Sequence, residues 1–168
     1  SELEVDGTLT INNSAVIDVD GFALDLNGTL VNNGTLVFRG AESRQIGVMD
    51  TDSGTVRYDG TASVTLPADI ATYFNLTFDE SGSGDPTYTL PDSNLVVNGV
   101  LSVADAALAF DDDKNLTVND NGATGTAIAV AAASSILNNG SGDLILGGDV
   151  ANAGTVTFNS SDDAGNGI

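Results

Sequence analysis

The sequence contains no cysteine, no histidine and no tryptophan, and only four of its residues are basic. Without cysteine, the chain forms neither disulfides nor thiolate metal sites. Without histidine, it lacks Ser-His and Cys-His catalysis, the commonest general base and the usual zinc and copper sites. These absences predict a non-catalytic protein without a cofactor of those kinds.

The charge is strongly one-sided. Twenty-four acidic residues against four basic ones give a formal net charge of −20. Such a polyanion is repelled by nucleic acid and by anionic membrane surfaces, so neither is expected as a partner. Twenty of the acids are aspartate, which favours turns, and the chain also has 20 glycines. Most of the charge is therefore predicted to lie in turns.

Membrane insertion is not expected, because no apolar run approaches the ~18 residues of a membrane span.

One line of sequence occurs twice without a gap. Residues 24–38 read LDLNGTLVNNGTLVF, and residues 144–158 read LILGGDVANAGTVTF. Shorter matches recur at offsets of 20 or 21, and a longer offset of 92 relates residues 3–11 to residues 95–103. The sequence therefore predicts a repeat protein with a short period and two diverged modules, about 1–91 and 92–168.

Within a period, the pattern is that of half-buried strands. Leu3, Val5, Leu9 and Ile11 alternate with polar residues, and Asn-Gly or Asp-Gly dipeptides separate the runs. Propeller blades need ~40–50 residues, and a meander has no reason to keep the same turn residues at the same phase. A parallel solenoid stacks like residues into columns. We predict one all-β domain over 1–168, a right-handed parallel β-helix of about eight coils, ~21 residues each.

Several segments resemble a known group of proteins. Residues 34–47 (GTLVFRGAESRQIG), 73–78 (YFNLTF) and 88–103 (YTLPDSNLVVNGVLSV) resemble β-solenoid modules of large secreted bacterial surface proteins. That group includes filamentous adhesins, autotransporter passengers and extracellular fibre proteins. The resemblance covers nearly the whole chain and implies an extracellular or cell-surface location with a structural or adhesive role. It transfers no catalytic residue.

Calcium is the cation that the acidic residues favour, because hard cations take several oxygen ligands. No EF-hand loop or glycine-rich calcium repeat is complete, and a solvated acidic surface is the competing interpretation. The three arginines, Arg39, Arg44 and Arg57, are expected in surface pairs with Glu42, Asp59 or Asp52, each worth little. The weak calcium candidates are Asp18, Asp20, Asp111, Asp112 and Asp113.

The two ends of the sequence lack the pattern of a solenoid cap. The chain starts with Ser1 and no signal peptide, as a mature secreted chain or an excised fragment would. Open ends predict a homopolymer in which subunits stack head to tail. A fragment of a large adhesin, binding host or abiotic surfaces or glycans, is the alternative, and a polysaccharide-active β-helix enzyme is a distant third. The predicted subunit interface consists of Leu3, Val5, Leu9, Ile11, Val156, Phe158 and Ile168.

Overall fold

Short strands follow one another around about seven turns of a parallel β-solenoid. A computed structural model describes residues 2–80, 82–110, 113–121 and 125–158, and within these it contains strands and no helix. No helix among them is long and apolar enough to cross a bilayer. The first strands are β1 Glu2–Val5, β2 Thr8–Ile11, β3 Val16–Asp18, β4 Ala23–Asn32, β5 Thr35–Phe38, β6 Arg44–Met49, β7 Thr55–Tyr58, β8 Val64–Thr65, β9 Thr72–Tyr73 and β10 Asn75–Asp79. The remainder are β11 Thr87–Thr89, β12 Leu95–Val97, β13 Leu101–Ala104, β14 Ala107–Phe110, β15 Leu116–Val118, β16 Thr126–Val130, β17 Ser135–Asn138, β18 Leu144–Leu146, β19 Asp149–Asn152 and β20 Thr155–Phe158.

One wall of the solenoid is continuous along its whole length. This long sheet has seven strands in the order β3, β5, β7, β10, β13, β16 and β19, all parallel. The other walls are each interrupted after β6. Before the interruption, the N-terminal four-stranded sheet contains β1, β2, β4 and β6; after it, a five-stranded sheet runs from β8 to β20 and the C-terminal four-stranded sheet from β9 to β18.

Strand β4 is the longest, and it covers two strands of the preceding coil. Its first half pairs with β1, from Ala23 to Leu26, and its second half pairs with β2, from Thr29 to Asn32. The bend between the halves contains Gly28, whose α-hydrogen lies against the carbonyl of Gly7 in the coil before. A side chain at this position would collide with that carbonyl. Glycine therefore lets two coils approach closely at this corner.

The core consists of columns of like residues stacked from coil to coil. In the long sheet, Leu36, Val56, Leu76 and Leu101 occupy successive positions of one column and are almost completely buried. Each such side chain contributes about 1.5–3 kcal/mol by leaving water. The parallel β-solenoid predicted from the repeat is confirmed, with about 21 residues per coil.

The turns carry much of the acid, as the composition predicts. Among the described residues, four aspartates adopt the left-handed backbone conformation: Asp20, Asp85, Asp105 and Asp120, with φ between 43° and 58°. Aspartate tolerates this conformation better than most residues because its short side chain bonds to the local backbone. At one such turn the Asp18 carboxylate accepts a hydrogen bond from the Asp20 backbone N–H at 2.8 Å.

Candidate functional site

The first coil presents an unpaired edge. Within the described residues, β1 and β2 pair only with β4, and β3 pairs only with β5. Leu3 is 41% exposed there, and Leu3, Ile17 and Phe22 line a cavity of about 240 Å³. Of the predicted interface residues, Leu3 is exposed, Val5 and Leu9 are half-buried, and Ile11 is already buried within the chain.

The last described coil presents the opposite edge. Strands β18, β19 and β20 each pair on one side, with β15, β16 and β17, in the part of the chain that the structure describes. Phe158 is 46% exposed and Val156 is half-buried, while Ile168 lies outside the described residues. Sequence reasoning missed Ile145, Leu146 and Val150, which are exposed here. The repeat at an offset of 120 residues matches Leu146 to Leu26 and Val150 to Leu30, both of which are buried. That match could have singled out Leu146 and Val150 as candidate interface residues.

Exposed apolar side chains concentrate at these two edges. Among the described residues, eight large hydrophobic side chains are exposed, and six of them belong to the first and last coils. The other two are Phe22, directly after the first coil, and Val48 in β6. Exposed apolar patches are a common feature of surfaces that bind a partner. The six are Leu3, Val16, Ile145, Leu146, Val150 and Phe158.

The acidic residues proposed for calcium are dispersed. Asp20 pairs with the Arg39 guanidinium, its Oδ1 lying 3.1 Å from Nε. Asp113 pairs with Lys114, which lowers the pKa of the Asp113 carboxyl through a hydrogen bond and the adjacent positive charge. Asp111 and Asp112 lie outside the described residues. No group of three or more acidic side chains converges on a common point within residues 2–80, 82–110, 113–121 and 125–158.

The predicted surface pairing of the arginines holds for only one of the expected partners. Arg57 Nη2 lies 3.3 Å from Asp59 Oδ2, as expected. Glu42 instead pairs with the backbone. Its carboxylate accepts hydrogen bonds from the N–H groups of Arg39 and Gly40, and these bonds fix the turn that follows β5. The prediction for Arg44 is wrong, because its side chain is inside the solenoid.

Arg44 is the most unusual group of the interior. Its guanidinium carbon lies 4.7 Å from the ring centre of Phe38 and 5.4 Å from that of Tyr58. Its Nε is 2.9 Å from the Asp69 carboxylate. Asp69 also lines a lateral cavity of about 320 Å³ between Ile46 and Thr72, where the two walls are interrupted. The aromatic faces and the carboxylate together compensate the buried positive charge.

Comparison with known proteins adds no relative, since no family model, curated protein or solved structure matches the chain.

Proposed function

We propose that the chain is a non-catalytic extracellular structural protein, the subunit of a filament formed by head-to-tail stacking of solenoids. The observation that carries the proposal is the concentration of exposed apolar side chains on strands that pair on one side only. Parallel strands at such an edge offer a row of backbone donors and acceptors to another chain. In a monomer these apolar side chains and unpaired strand edges stay in contact with water, whereas in a filament they would be buried at every junction between subunits. The resemblance to modules of bacterial surface proteins supports the same location.

Negative-stain electron microscopy over a range of protein concentrations tests the proposal. We expect uniform fibres with an axial repeat of roughly 34 Å, from seven coils spaced by ~4.8 Å. Val150→Asp would place a charge in the junction and should abolish the fibres. Val48→Asp is the matched control: this valine is also exposed but lies on a lateral wall, so its fibres should persist.

A module of a large secreted adhesin is the second candidate. It is supported by the lengths of two connections, from Asp79 to Thr87 and from Val118 to Thr126, which contain more residues than the other connections between consecutive strands. In that case lateral surfaces would bind the target and the ends would continue into further coils. Isolated short rods at every concentration would contradict the filament and favour the adhesin.

A further inference from the structure

The three walls of the solenoid end at different heights, and this restricts how a second copy can stack. Each coil passes through the wall of β1, the wall of β2 and then the long sheet. The wall of β1 ends at β20 and has eight strand layers: β1, the first halves of β4 and β6, and the five-stranded sheet. The wall of β2, which ends at β18, and the long sheet, which ends at β19, have seven layers each. Among the described strands, the next layer along the helical path is therefore the one on β18, followed by those on β19 and β20.

We propose that a second copy docks turned by one wall, so that its β1, β2 and β3 lie on β18, β19 and β20 of the first. Each wall then receives one new strand, and no layer is doubled or skipped. After three such copies every wall has gained the same number of layers, because the additional layer of each copy falls on a different wall. The inference rests on the proposed filament and specifies its junction.

The chain already contains two pairs of coils that are related by this turn. The pairing of β16 and β17 with β19 and β20 repeats the pairing of β2 and β3 with β4 and β5, one wall further on. In both pairs, a backbone N–H of the upper corner donates to the carbonyl of the last strand residue below it at 2.8 Å. Both lower corners contain one left-handed residue, Ser14 or Ala133, with φ of 65° and 67°. The same stacking therefore forms on walls that differ by one step.

This equivalence also gives the register of the junction. Residues 144–158 correspond to residues 24–38, which pair in register with β1, β2 and β3 within the chain. Parallel stacking keeps each column of side chains on one line through successive coils. The pairs expected across the junction, with the residue of the first copy named first, are Leu144 with Leu3, Leu146 with Val5, Val150 with Leu9, Asn152 with Ile11, Val156 with Ile17, and Phe158 with Val19.

Phe158 has a matching cavity on the opposite face. Its equivalent, Phe38, follows Val37, whose carbonyl accepts a hydrogen bond from the Val19 N–H at 3.2 Å, so Phe38 and Val19 share a column. Val19 lines the cavity of about 240 Å³ at the first coil, together with Phe22. In the proposed phase, the exposed ring of Phe158 would enter this cavity. Aromatic side chains seated in such pockets often dominate the affinity of an interface.

A corner asparagine supplies a further argument. The Asn32 Oδ1 accepts a hydrogen bond from the second backbone N–H after it at 3.1 Å, and its Nδ2 donates to the carbonyl of Thr55 in the next coil at 3.0 Å. Asn152 repeats the first of these bonds at 3.0 Å. Within the described residues, no following strand supplies an acceptor for the second. In the proposed phase, the position matching Thr55 is Val16 of the second copy, whose carbonyl would accept that bond.

One like-charge contact opposes the junction. Glu2 pairs with Ala23 within the chain, and Asp143 corresponds to Ala23, so Glu2 of the second copy would lie beside Asp143. Both carboxylates are exposed, and salt screens the repulsion between exposed charges. Glu4 would lie beside the uncharged Ile145. The junction therefore requires only one contact between carboxylates along β1.

Because the sequence contains no cysteine, disulfide trapping tests the phase directly. Three double variants combine Ala151→Cys in β19 with Thr10→Cys, Asp18→Cys or Glu4→Cys, one for each strand of the first coil; all four positions are exposed. Neighbouring strands lie ~4.8 Å apart, within the Cα separation that a disulfide spans. The two positions of one molecule are several coils apart, so a bond within one chain is excluded. After mild oxidation, a ladder of covalent oligomers is read on a non-reducing gel.

We expect the ladder with Thr10→Cys and little above background with the other two variants. A ladder with Asp18→Cys would mean that copies stack without the turn, and a ladder with Glu4→Cys that they turn the other way. Either result, or equal ladders with all three, would overturn the phase while leaving the filament intact. No ladder with any variant would overturn the junction, and monomers of the parent protein in light scattering would then overturn the filament as well.

The Phe158 contact has its own readout. Phe158→Ala should raise the protein concentration needed for assembly roughly tenfold, because the exposed part of the ring leaves water at the junction. Val48→Ala shortens an exposed side chain of a lateral wall and should leave that concentration unchanged. Circular dichroism below the assembly concentration shows that each variant keeps the fold. Equal assembly concentrations for the two folded variants would overturn the seating of Phe158 in the cavity.

Discussion

At the residue scale, the middle of the solenoid is built on an aromatic column. Phe38, Tyr58 and Phe78 stack in successive coils, with ring centres 5.9 and 5.6 Å apart. Such pairs add about 0.5–1.5 kcal/mol beyond the burial of their surface. The Tyr58 and Tyr73 hydroxyls lie 3.2 Å from each other, and the Tyr88 hydroxyl donates to the Gly60 carbonyl at 2.6 Å. The three tyrosines of the chain are thus all buried with their polar atoms paired.

These tyrosines predict a sharp limit to stability at high pH. Burial raises the pKa of Tyr58, Tyr73 and Tyr88 above their usual value near 10. The folded state therefore holds these protons where the unfolded state releases them, so their contribution is complete below pH ~10 and is lost above it. Three such groups amount to about 4 kcal/mol per pH unit. We expect tyrosinate absorbance at 295 nm to rise together with the loss of the β-sheet circular dichroism signal.

A chain unfolded in urea provides the reference, since its tyrosines should titrate near pH 10 without a cooperative step. Tyrosinate formation in a chain that retains its circular dichroism signal would contradict the buried state of the three side chains.

The Arg44–Asp69 pair predicts unequal effects of its two partners. Asp69→Asn leaves a buried guanidinium without its charged partner and should lower the free energy of unfolding by about 3–5 kcal/mol. Arg44→Met replaces the cation with an apolar chain of similar length and leaves Asp69, which is partly exposed, to water. We therefore expect a clearly smaller loss for Arg44→Met in urea unfolding followed by circular dichroism. Equal losses would show that the charge of Arg44 is not compensated mainly by Asp69.

At the element scale, the sequence that occurs twice specifies strands and the turns between them, but it does not specify which wall of the solenoid those strands form. Residues 24–38 form β4 and β5, and residues 144–158 form β18, β19 and β20. Yet β5 belongs to the long sheet, whereas β20 belongs to the five-stranded sheet. The same local sequence thus serves a different wall in the two halves, because all walls require the same alternation of inward and outward residues.

This interchangeability explains what could be predicted. Alternation and turn dipeptides suffice for parallel strands and for the stacked columns, since both depend on local spacing. They do not determine the number of coils. Leu76 and Leu101 are neighbours although 25 residues apart, and Leu101 and Ile128 although 27 apart. Those longer connections help to make the turns number about seven rather than the eight predicted. The interior position of Arg44 could not be inferred either, because its partner Asp69 lies outside the strands, in the connection between β8 and β9.

Glycines at one corner give a prediction with an internal control. An alanine side chain at Gly28 would collide with the Gly7 carbonyl, whereas a side chain at Gly7 would meet nothing within 4 Å. Gly28→Ala should therefore lower the free energy of unfolding by about 1–3 kcal/mol, the range for overpacking. Gly7→Ala should change it by less than about 0.5 kcal/mol. Thermal unfolding at low protein concentration measures both without a contribution from assembly, and equal melting temperatures would contradict the close approach of the two coils.

At the scale of the whole molecule, a formal charge of −20 opposes both folding and stacking. The few cationic side chains form ion pairs with nearby carboxylates: Arg39 with Asp20, Arg44 with Asp69, and Lys114 with Asp113 and Asp92. Most carboxylates therefore repel one another across the surface. For the chain to fold, the free energy gained by burying the apolar columns has to exceed this repulsion. For subunits to stack, the smaller free energy gained by burying the apolar ends has to exceed the repulsion between subunits.

Salt should consequently stabilise the chain and promote its assembly. Raising sodium chloride from 0.1 M to 1 M shortens the screening length from about 10 Å to about 3 Å. Each kcal/mol recovered raises the melting temperature by roughly 2–4 °C for a chain of this size. We expect calcium chloride at matched ionic strength to give the same increase, because the described carboxylates do not converge on a common site. An increase with submillimolar calcium that sodium does not reproduce would contradict this expectation. If the joint replacement of Asp111, Asp112 and Asp113 by asparagine then removed the increase, it would assign a calcium site to these three residues.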